Sequence, residues 1–372
     1  GCKDQDIKVN GREVINVNLA DDNKVLEEVV VVGYGVQKKR DVSTAVSSVK
    51  AEALANNPST DFRQALAGKM PGVQVTVPSG DPEGSVSIRV RGVSTVNAGS
   101  DPLYVVDGMF YDDINFLNNE DIQEMSILKD ASAAAIYGVR AANGVVIITT
   151  KKGTKNQKAQ ITYDGYIGIQ KATNVLEMAN SQEYATMLME ANYDAYSPTM
   201  KAAIDRFGGS YADSDFHKWT YGADTDWYKE LLRTAVITNH SVGISGGSDK
   251  ATYSLGISYL YQDGVMDTEN NYKRLNFRAA VDYDATNWLK VGFNGVFSKS
   301  DQVLPNNAAW REAFNTPGII PVFDEQNTQA FPDKYATPNS IGLSTNFKNP
   351  VATAKYYDAK NEMRQYMTNF YA

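Results

Sequence analysis

The sequence predicts a small α+β domain followed by the first strands of an antiparallel transmembrane β-barrel that is incomplete in this chain. Two patterns lead to this fold class. Up to about residue 153, short strand-like runs are interleaved with helix signals. Beyond Lys158, segments of about ten residues alternate apolar and polar side chains, which is typical of strands with a lipid face and a polar interior.

The composition limits the possible functions before any motif is considered. The chain has 372 residues, a formal net charge of -8 and 22 tyrosines. The acidic balance argues against a nucleic-acid partner, because phosphate binding needs a basic surface. Hydrophobic residues make up 42% and charged residues 22%, which excludes wholesale disorder. A tyrosine-rich soluble β protein is the alternative that composition alone leaves open.

The single cysteine, Cys2, cannot form an internal disulfide. The pair Gly1-Cys2 is compatible with a lipoprotein cleavage site, but no apolar segment precedes it. We expect the sequence to be an excerpt whose targeting segment, if there is one, lies upstream.

The first 39 residues contain two different patterns. Ile7 to Leu19 alternate weakly around Asn10-Gly11, which predicts a hairpin at the end of a preceding small β domain. Residues 21–39 form a linker that contains four consecutive valines from Val29 to Val32. A valine run between linkers is suited to pairing with the sheet edge of a partner, although a buried strand of the local fold is the alternative.

Residues 40–153 contain the signals of a small α+β domain. Ser59 or Thr60 is expected to cap a short helix that ends before Gly68, and Asp130 to cap a second helix that Gly138 closes. The expected strands lie at 73–77, 86–90, 103–106, 125–127 and 145–150.

Ser85 to Met109 is the most informative stretch of this domain. Val86, Ile88 and Val90 alternate with polar residues that include Arg89 and Arg91, as in a strand with one buried face. Leu103 to Val106 is apolar on both faces and therefore suits an inner strand between turns. The two arginines need solvent or acidic partners.

Six strands are expected after residue 158. Their approximate positions are 161–169, 242–245, 253–261, 275–283, 289–297 and 363–372. The connectors alternate between short and long, which favours an outer-membrane barrel over a soluble β-sandwich. Six strands cannot close a barrel when the smallest have about eight, so we expect open edges and no stable barrel from this chain alone.

The residues needed for catalysis or metal binding are scarce. His217 and His240 are the only histidines, and neither has metal-ligand spacing. We therefore expect no enzyme, no cofactor and no resident metal. The acidic pairs at 213/215 and 224/226 could supply calcium ligands, with solvated loop acids as the alternative.

Three segments carry a resemblance to a known family: Glu28 to Gly35, Ser87 to Met109 and Leu128 to Lys151. With these motifs the chain resembles the SusC/RagA-type TonB-dependent outer-membrane transporters. The resemblance implies the end of a carboxypeptidase-regulatory-like domain at 1–20, a linker with the TonB box at 21–39, the plug at 40–153 and barrel strands with loops at 159–372. The TonB box would comprise Glu27, Glu28, Val29, Val30, Val31, Val32, Gly33 and Tyr34.

The resemblance also implies a function and a set of partners. Members of this family import oligosaccharides or peptides across the outer membrane, embedded in its lipid and covered by a SusD-like surface lipoprotein. TonB and its inner-membrane energising complex supply the energy. A siderophore or cobalamin receptor, a signal-transducing receptor and a non-transporting adhesin are the alternatives.

Two groups of residues are candidates for specific roles. In a barrel lumen, Arg89, Arg91 and Arg140 would pair with wall carboxylates and anchor the plug. The alternative is that these three arginines are exposed and only increase solubility. Four aromatic residues precede the second barrel strand: Trp219, Tyr221, Trp227 and Tyr228. They would stack on the sugar rings of a ligand. The alternatives are an interfacial aromatic belt or packing inside the protein.

Overall fold

In the computed structural model, two sheets of five and six strands account for most of the regular structure. The structure describes residues 29–32, 35–38, 46–50, 61–77, 80–82, 84, 86–92, 99–130, 135–210, 220–329, 333–343 and 348–372. The predicted hairpin at 7–19 lies outside these residues, as do Glu27, Glu28, Gly33, Tyr34 and Trp219.

Nine strands lie in the N-terminal part of the described chain. They are β1 (Val29–Val32), β2 (Gly35–Lys38), β3 (Val46–Lys50), β4 (Val73–Thr76), β5 (Ser87–Val90), β6 (Leu103–Val106), β7 (Met109–Tyr111), β8 (Ile122–Leu128) and β9 (Val145–Thr150). β1 and β2 form an antiparallel pair, as do β4 and β5. The five-stranded sheet has the order β3-β8-β9-β6-β7.

The run that is apolar on both faces forms an inner strand of the five-stranded sheet. All four residues of β6 are buried, and β6 lies between β9, to which it is parallel, and β7. Asp107 and Gly108 have positive φ angles of 46° and 87°, the backbone that a tight hairpin turn between β6 and β7 requires. The Asp107 carboxylate also accepts from the Thr150 amide at 3.0 Å. The predicted inner strand is confirmed.

A short helix, α1 (Phe62–Ala65), covers one side of this unit. Phe62 and Leu66 are buried in the same core as Ile88 and Met125. Asp61 caps the helix by accepting from the Arg63 amide at 2.8 Å, so the prediction that Ser59 or Thr60 caps it is wrong. A carboxylate one residue closer to the helix reaches the same free amides.

The six-stranded sheet forms a curved wall, called the wall below. Its strands pair antiparallel in chain order, apart from the small pair β11 (Gly209–Ser210) and β12 (Thr220–Tyr221), which lies outside it. The wall strands are β10 (Gln160–Gln170), β13 (Ala235–Gly247), β14 (Ala251–Asp263), β15 (Asn271–Asp284), β16 (Lys290–Leu304) and β17 (Ala359–Tyr371). All six predicted strands are confirmed, and β13 is much longer than expected because its polar residues alternate less regularly.

The two faces of the wall differ in chemistry. The outer face exposes large apolar side chains, such as Ile167, which is 79% exposed, and Phe370, which is 75% exposed. The inner face carries polar side chains, and Ser254, Asn276 and Arg278 on this face are buried against the N-terminal unit. The predicted apolar exterior and polar interior are therefore present in the structure.

The two long connectors of the wall contain helices that the sequence interpretation did not assign. They are α2 (Ser181–Phe207), α3 (Trp227–Leu231), α4 (Ala308–Asn315) and α5 (Pro350–Lys355). These helices share one core, in which Trp227, Ile320 and Val351 are buried. The signal that was overlooked is the capping box of Asn180 and Glu183 at the start of α2. No helix in the described part of the chain is long and apolar enough to cross a membrane.

Trp227→Ala is expected to loosen this connector core. Trp227 is 3% exposed and donates from its indole N–H to the Pro317 carbonyl at 3.2 Å, so truncation leaves a cavity and an unpaired carbonyl. We expect a loss of about 3–5 kcal/mol, seen as faster limited proteolysis within the connectors of the full-length protein. Phe314→Ala on α4, where the side chain is 56% exposed, is the control and should leave the cleavage rate nearly unchanged.

Candidate functional site

The main contact between the N-terminal unit and the wall is a row of side chains on β15. Arg274 donates to the Asn115 carbonyl, and Asn276 donates from Nδ2 to the Phe116 carbonyl at 2.7 Å. Arg278 reaches Asp121. Residues spaced by two lie on the same face of a strand, so this polar row follows directly from the inward-facing register of β15.

Arg278 and Asp121 form a buried ion pair between the two parts of the chain. Nε of Arg278 lies 2.8 Å from Oδ1 of Asp121, and the arginine side chain is 5% exposed. The guanidinium also donates to the Lys151 carbonyl at 2.6 Å and to the Ser254 hydroxyl at 3.0 Å. Because these contacts use several of its N–H groups, the buried charge is both paired and hydrogen-bonded.

A glycine allows this ion pair to approach the wall. Gly256 lies on β14 directly opposite Arg278 in the register of the sheet. A Cβ atom at this position would lie 3.2 Å from Oδ1 of Asp121, closer than ordinary van der Waals contact. The absence of a side chain at Gly256 therefore makes room for the Asp121 carboxylate.

Further contacts extend the interface along the wall. Asn239 of β13 donates to Glu120 at 2.8 Å, and Gln302 of β16 donates to the Pro82 carbonyl at 2.9 Å. Two apolar wall residues, Val296 and Met367, pack against the core of the N-terminal unit. Besides β14, the unit is thus attached to β13, β15, β16 and β17.

The three arginines predicted to anchor the plug have other surroundings. Arg91 lies beyond the end of β5, with a φ of 61°, and its ion pair is with Asp130. Arg140 pairs with Asp112. Both carboxylates belong to the N-terminal unit and not to the wall, and the anchoring of the plug by pairing with wall carboxylates stays a prediction. The positive φ turns Arg91 away from the strand face on which the alternation placed it.

Arg89 remains on β5, opposite Gln74. Its Nε atom is buried and has no hydrogen-bond partner among the residues that the structure describes. The arginine that bridges to the wall is Arg278, on the wall itself. The sequence contained this signal, because Arg274, Asn276 and Arg278 form the polar side of one alternating strand.

The candidate ligand-contacting aromatic residues separate into two groups. Trp227 is buried in the connector core, as the packing alternative predicted. Tyr228 is partly buried and stacks on Trp310, with ring centroids 6.3 Å apart and an interplanar angle of 21°. The side chain of Tyr221 lies outside the described part of the chain. Sequence reasoning overlooked Trp310, because it lies 82 positions after Tyr228.

The stacked pair lines a cavity between the connectors and the N-terminal unit. The cavity has a volume of about 790 Å³ and is lined by Tyr228, Trp310, Gly80, Asp81 and Gln170, among others. A smaller cavity of about 170 Å³ lies between the N-terminal unit and the wall. Gly80, Asp81 and Gln170 line both cavities, so the two are adjacent.

The loop acids considered as calcium ligands serve as helix caps. Asp226 accepts from the Lys229 amide at 3.1 Å and caps α3, and Asp224 accepts from the Ser181 amide at 2.8 Å. Residues 213 and 215 lie outside the described part of the chain. Among the described residues, no group of three or more histidine, cysteine, aspartate or glutamate side chains is arranged to hold a metal ion.

Comparison with known proteins identifies this arrangement. Residues 38–145 match the model of the TonB-dependent receptor plug domain. The TonB-dependent receptor SusC of Bacteroides thetaiotaomicron is 33% identical over 363 residues, which are 94% of this chain and 34% of the relative. The TonB-dependent receptor P3 of Formosa agariphila is 34% identical over 383 residues, covering 100% of this chain and 35% of the relative.

A solved structure gives the same result. The structure of the RagAB peptide importer in its open-open state matches with a TM-score of 0.64 and 35% identity, over 74% of this chain and 32% of that chain. A plug held on the polar face of an antiparallel sheet defines part of a TonB-dependent receptor. The chain belongs to the SusC/RagA family of these receptors, and it spans about a third of the length of the relatives it matches.

Replacing Arg278 is expected to weaken the attachment of the plug far more than replacing Arg91. Arg278→Leu leaves Asp121 buried without its partner, which costs about 3–5 kcal/mol. Arg91→Ala removes a pair whose arginine is 53% exposed, and such pairs contribute about 0–1 kcal/mol. The measurement is the urea concentration at which the full-length receptor begins to conduct ions in a planar bilayer. An equal or larger effect of Arg91→Ala would contradict this assignment.

Proposed function

We propose that the whole protein imports an oligosaccharide across the bacterial outer membrane. Transport would be energised by TonB with its inner-membrane complex, and a SusD-like surface lipoprotein would cover the entrance. The observation that carries the proposal is the position of the plug, which is attached to the polar inner face of the wall by a buried ion pair. Energy must be supplied to displace a plug that is held in this way and so to open the path.

The wall supports a location in outer-membrane lipid. Its outer face carries exposed apolar residues on most of its strands, among them Ile161, Phe277 and Tyr366. The short connectors at 248–250 and 285–289 lie at one edge, and the long connectors with the helical core lie at the other. Short periplasmic turns and long external loops are the usual arrangement of such barrels.

The N-terminal segment supports energisation by TonB. β1 comprises the four valines of the proposed TonB box and pairs only with β2 in the described part of the chain, with Val31 opposite Val36. A short two-stranded pair has little intrinsic stability. A partner that adds its own strand to this segment would replace those main-chain hydrogen bonds. It would then be bound firmly enough to pull on the segment.

The larger cavity supports the choice of an oligosaccharide as the ligand. Tyr228 and Trp310 supply flat apolar faces, and Gln170 and Asn307 supply side-chain amides to the same cavity. A sugar ring has an apolar face bordered by hydroxyl groups, which suits this combination. A peptide is the second candidate, because a structural relative with 35% identity is a peptide importer.

Deletion of residues 27–33 is expected to abolish energised uptake while sparing assembly and ligand binding. The deletion removes the strand proposed for capture by TonB but none of the contacts between plug and wall. Uptake of a labelled ligand by whole cells, compared with its binding to isolated outer membranes, separates the two effects. Persistent uptake in the deletion variant would refute the assignment of the TonB box.

Trp310→Ala is expected to weaken binding of an oligosaccharide ligand by up to about tenfold. The loss of one stacking face corresponds to about 0.5–1.5 kcal/mol. Calorimetric titration of the full-length receptor with a panel of oligosaccharides and peptides provides the measurement. Phe323→Ala is the control, since Phe323 packs on Tyr335 in the same connector and does not line the cavity. Equal losses in the two variants would speak against a role of the cavity in binding.

A further inference from the structure

Glu120 and Asn239 meet where the plug contacts β13. Asn239 donates from Nδ2 to Oε1 of Glu120 at 2.8 Å. The other carboxylate oxygen, Oε2, is buried, and so is the amide oxygen Oδ1 of Asn239. Neither of these two oxygens has a hydrogen-bond partner among the described residues. The contact therefore leaves one oxygen atom of each group without a hydrogen bond in the described part of the chain.

The two unpaired atoms are both acceptors while Glu120 is ionised. An ionised carboxylate has no hydrogen to donate, and an amide oxygen accepts only. A protonated carboxyl group gains one O–H donor and keeps an acceptor. Since a carboxyl and a carboxamide are planar groups of similar shape, they can form two hydrogen bonds at once when the acid is protonated.

We propose that Glu120 takes up a proton from solvent and then donates from Oε2 to Oδ1 of Asn239, which closes a two-bond acid–amide pair between plug and wall. The O–H bond is the only covalent bond formed, and no group is oxidised or reduced. The ionised form holds the wall by one hydrogen bond at this point and the protonated form by two. The plug is therefore attached more firmly at lower pH.

The surroundings of Glu120 favour the neutral form. Asp121 and Asp164 act on Glu120 as like charges and Tyr166 is close to it, whereas Arg278 pairs with Asp121 and Arg274 acts on Tyr166. Arg278 is committed to Asp121 and Arg274 donates to the Asn115 carbonyl, whereas Asp164 adds a like charge. Burial raises the pKa of Glu120, and Asp121 and Asp164 add to this, whereas hydrogen bonds from its own backbone amide and from Asn239 act in the opposite direction without cancelling the rise.

The direction of the pH effect follows from this raised pKa. When the plug leaves the wall, Glu120 becomes solvated and its pKa returns toward the ordinary value. The docked state therefore binds the proton more tightly than the released state. The extra stabilisation is present at low pH and is lost as the pH rises through the raised pKa of the docked carboxyl.

The test measures plug release from the full-length receptor in a planar bilayer, without ligand and without TonB. The urea midpoint for the onset of ion conduction is expected to be higher at about pH 5 than at about pH 8. Glu120→Gln places an N–H where the protonated acid has its O–H. We expect this variant to keep a high midpoint at both pH values and to lose more than half of the wild-type shift. A full wild-type shift in Glu120→Gln would overturn the proposal.

Gln302→Leu is the matched control at the same interface. Gln302 donates to the Pro82 carbonyl at 2.9 Å and cannot titrate, so its loss should lower the midpoint equally at both pH values. A loss of the pH shift in this variant would show that any weakening of the interface removes it, and would contradict the specific role of Glu120.

Infrared difference spectroscopy between the two pH values gives a second readout. A protonated-carboxyl C=O band should appear on acidification and be absent in Glu120→Gln. In Asn239→Leu the band should move to higher frequency, because the carbonyl no longer accepts from Nδ2. A missing band, or one unmoved in Asn239→Leu, would refute the acid–amide pair. Since neither experiment involves transport, these outcomes are independent of the proposed import function.

Discussion

The buried ion pair between Arg278 and Asp121 is the contact on which the relation of plug to wall depends. Bringing two charges out of water is costly, and the cost is offset only when geometry and further hydrogen bonds are good. Here the guanidinium also binds the Lys151 carbonyl and the Ser254 hydroxyl, and Gly256 leaves room for the carboxylate. The pair fixes the plug at one position on the inner face of the wall.

The attachment consists mostly of polar contacts with side chains of the wall. Asn276 and Gln302 donate to backbone carbonyls of the plug, whereas apolar packing from the wall is represented by Val296 and Met367. Hydrogen bonds of this kind can be exchanged for bonds to water when the interface opens. An interface built in this way can open without leaving its polar groups unsatisfied.

The two long connectors form a second folded layer on one edge of the wall. Trp227 and Val351 come from different connectors and are buried together with Ile320. Tyr228, the residue next to Trp227, faces the cavity with Trp310. The core of the connectors thus positions the stacked pair above the plug, which links the stability of this layer to the shape of the candidate ligand cavity.

Local patterns in the sequence determined the strands, because alternation and turn residues act within a few positions. The run Leu103–Val106, the Asp107-Gly108 turn and the polar row on β15 could all be predicted in this way. Partners distant in the chain could not, since Arg278 and Asp121 lie 157 positions apart. The pairing of Arg91 with Asp130 and the stacking of Tyr228 on Trp310 were likewise decided only by tertiary structure, which brings distant segments together.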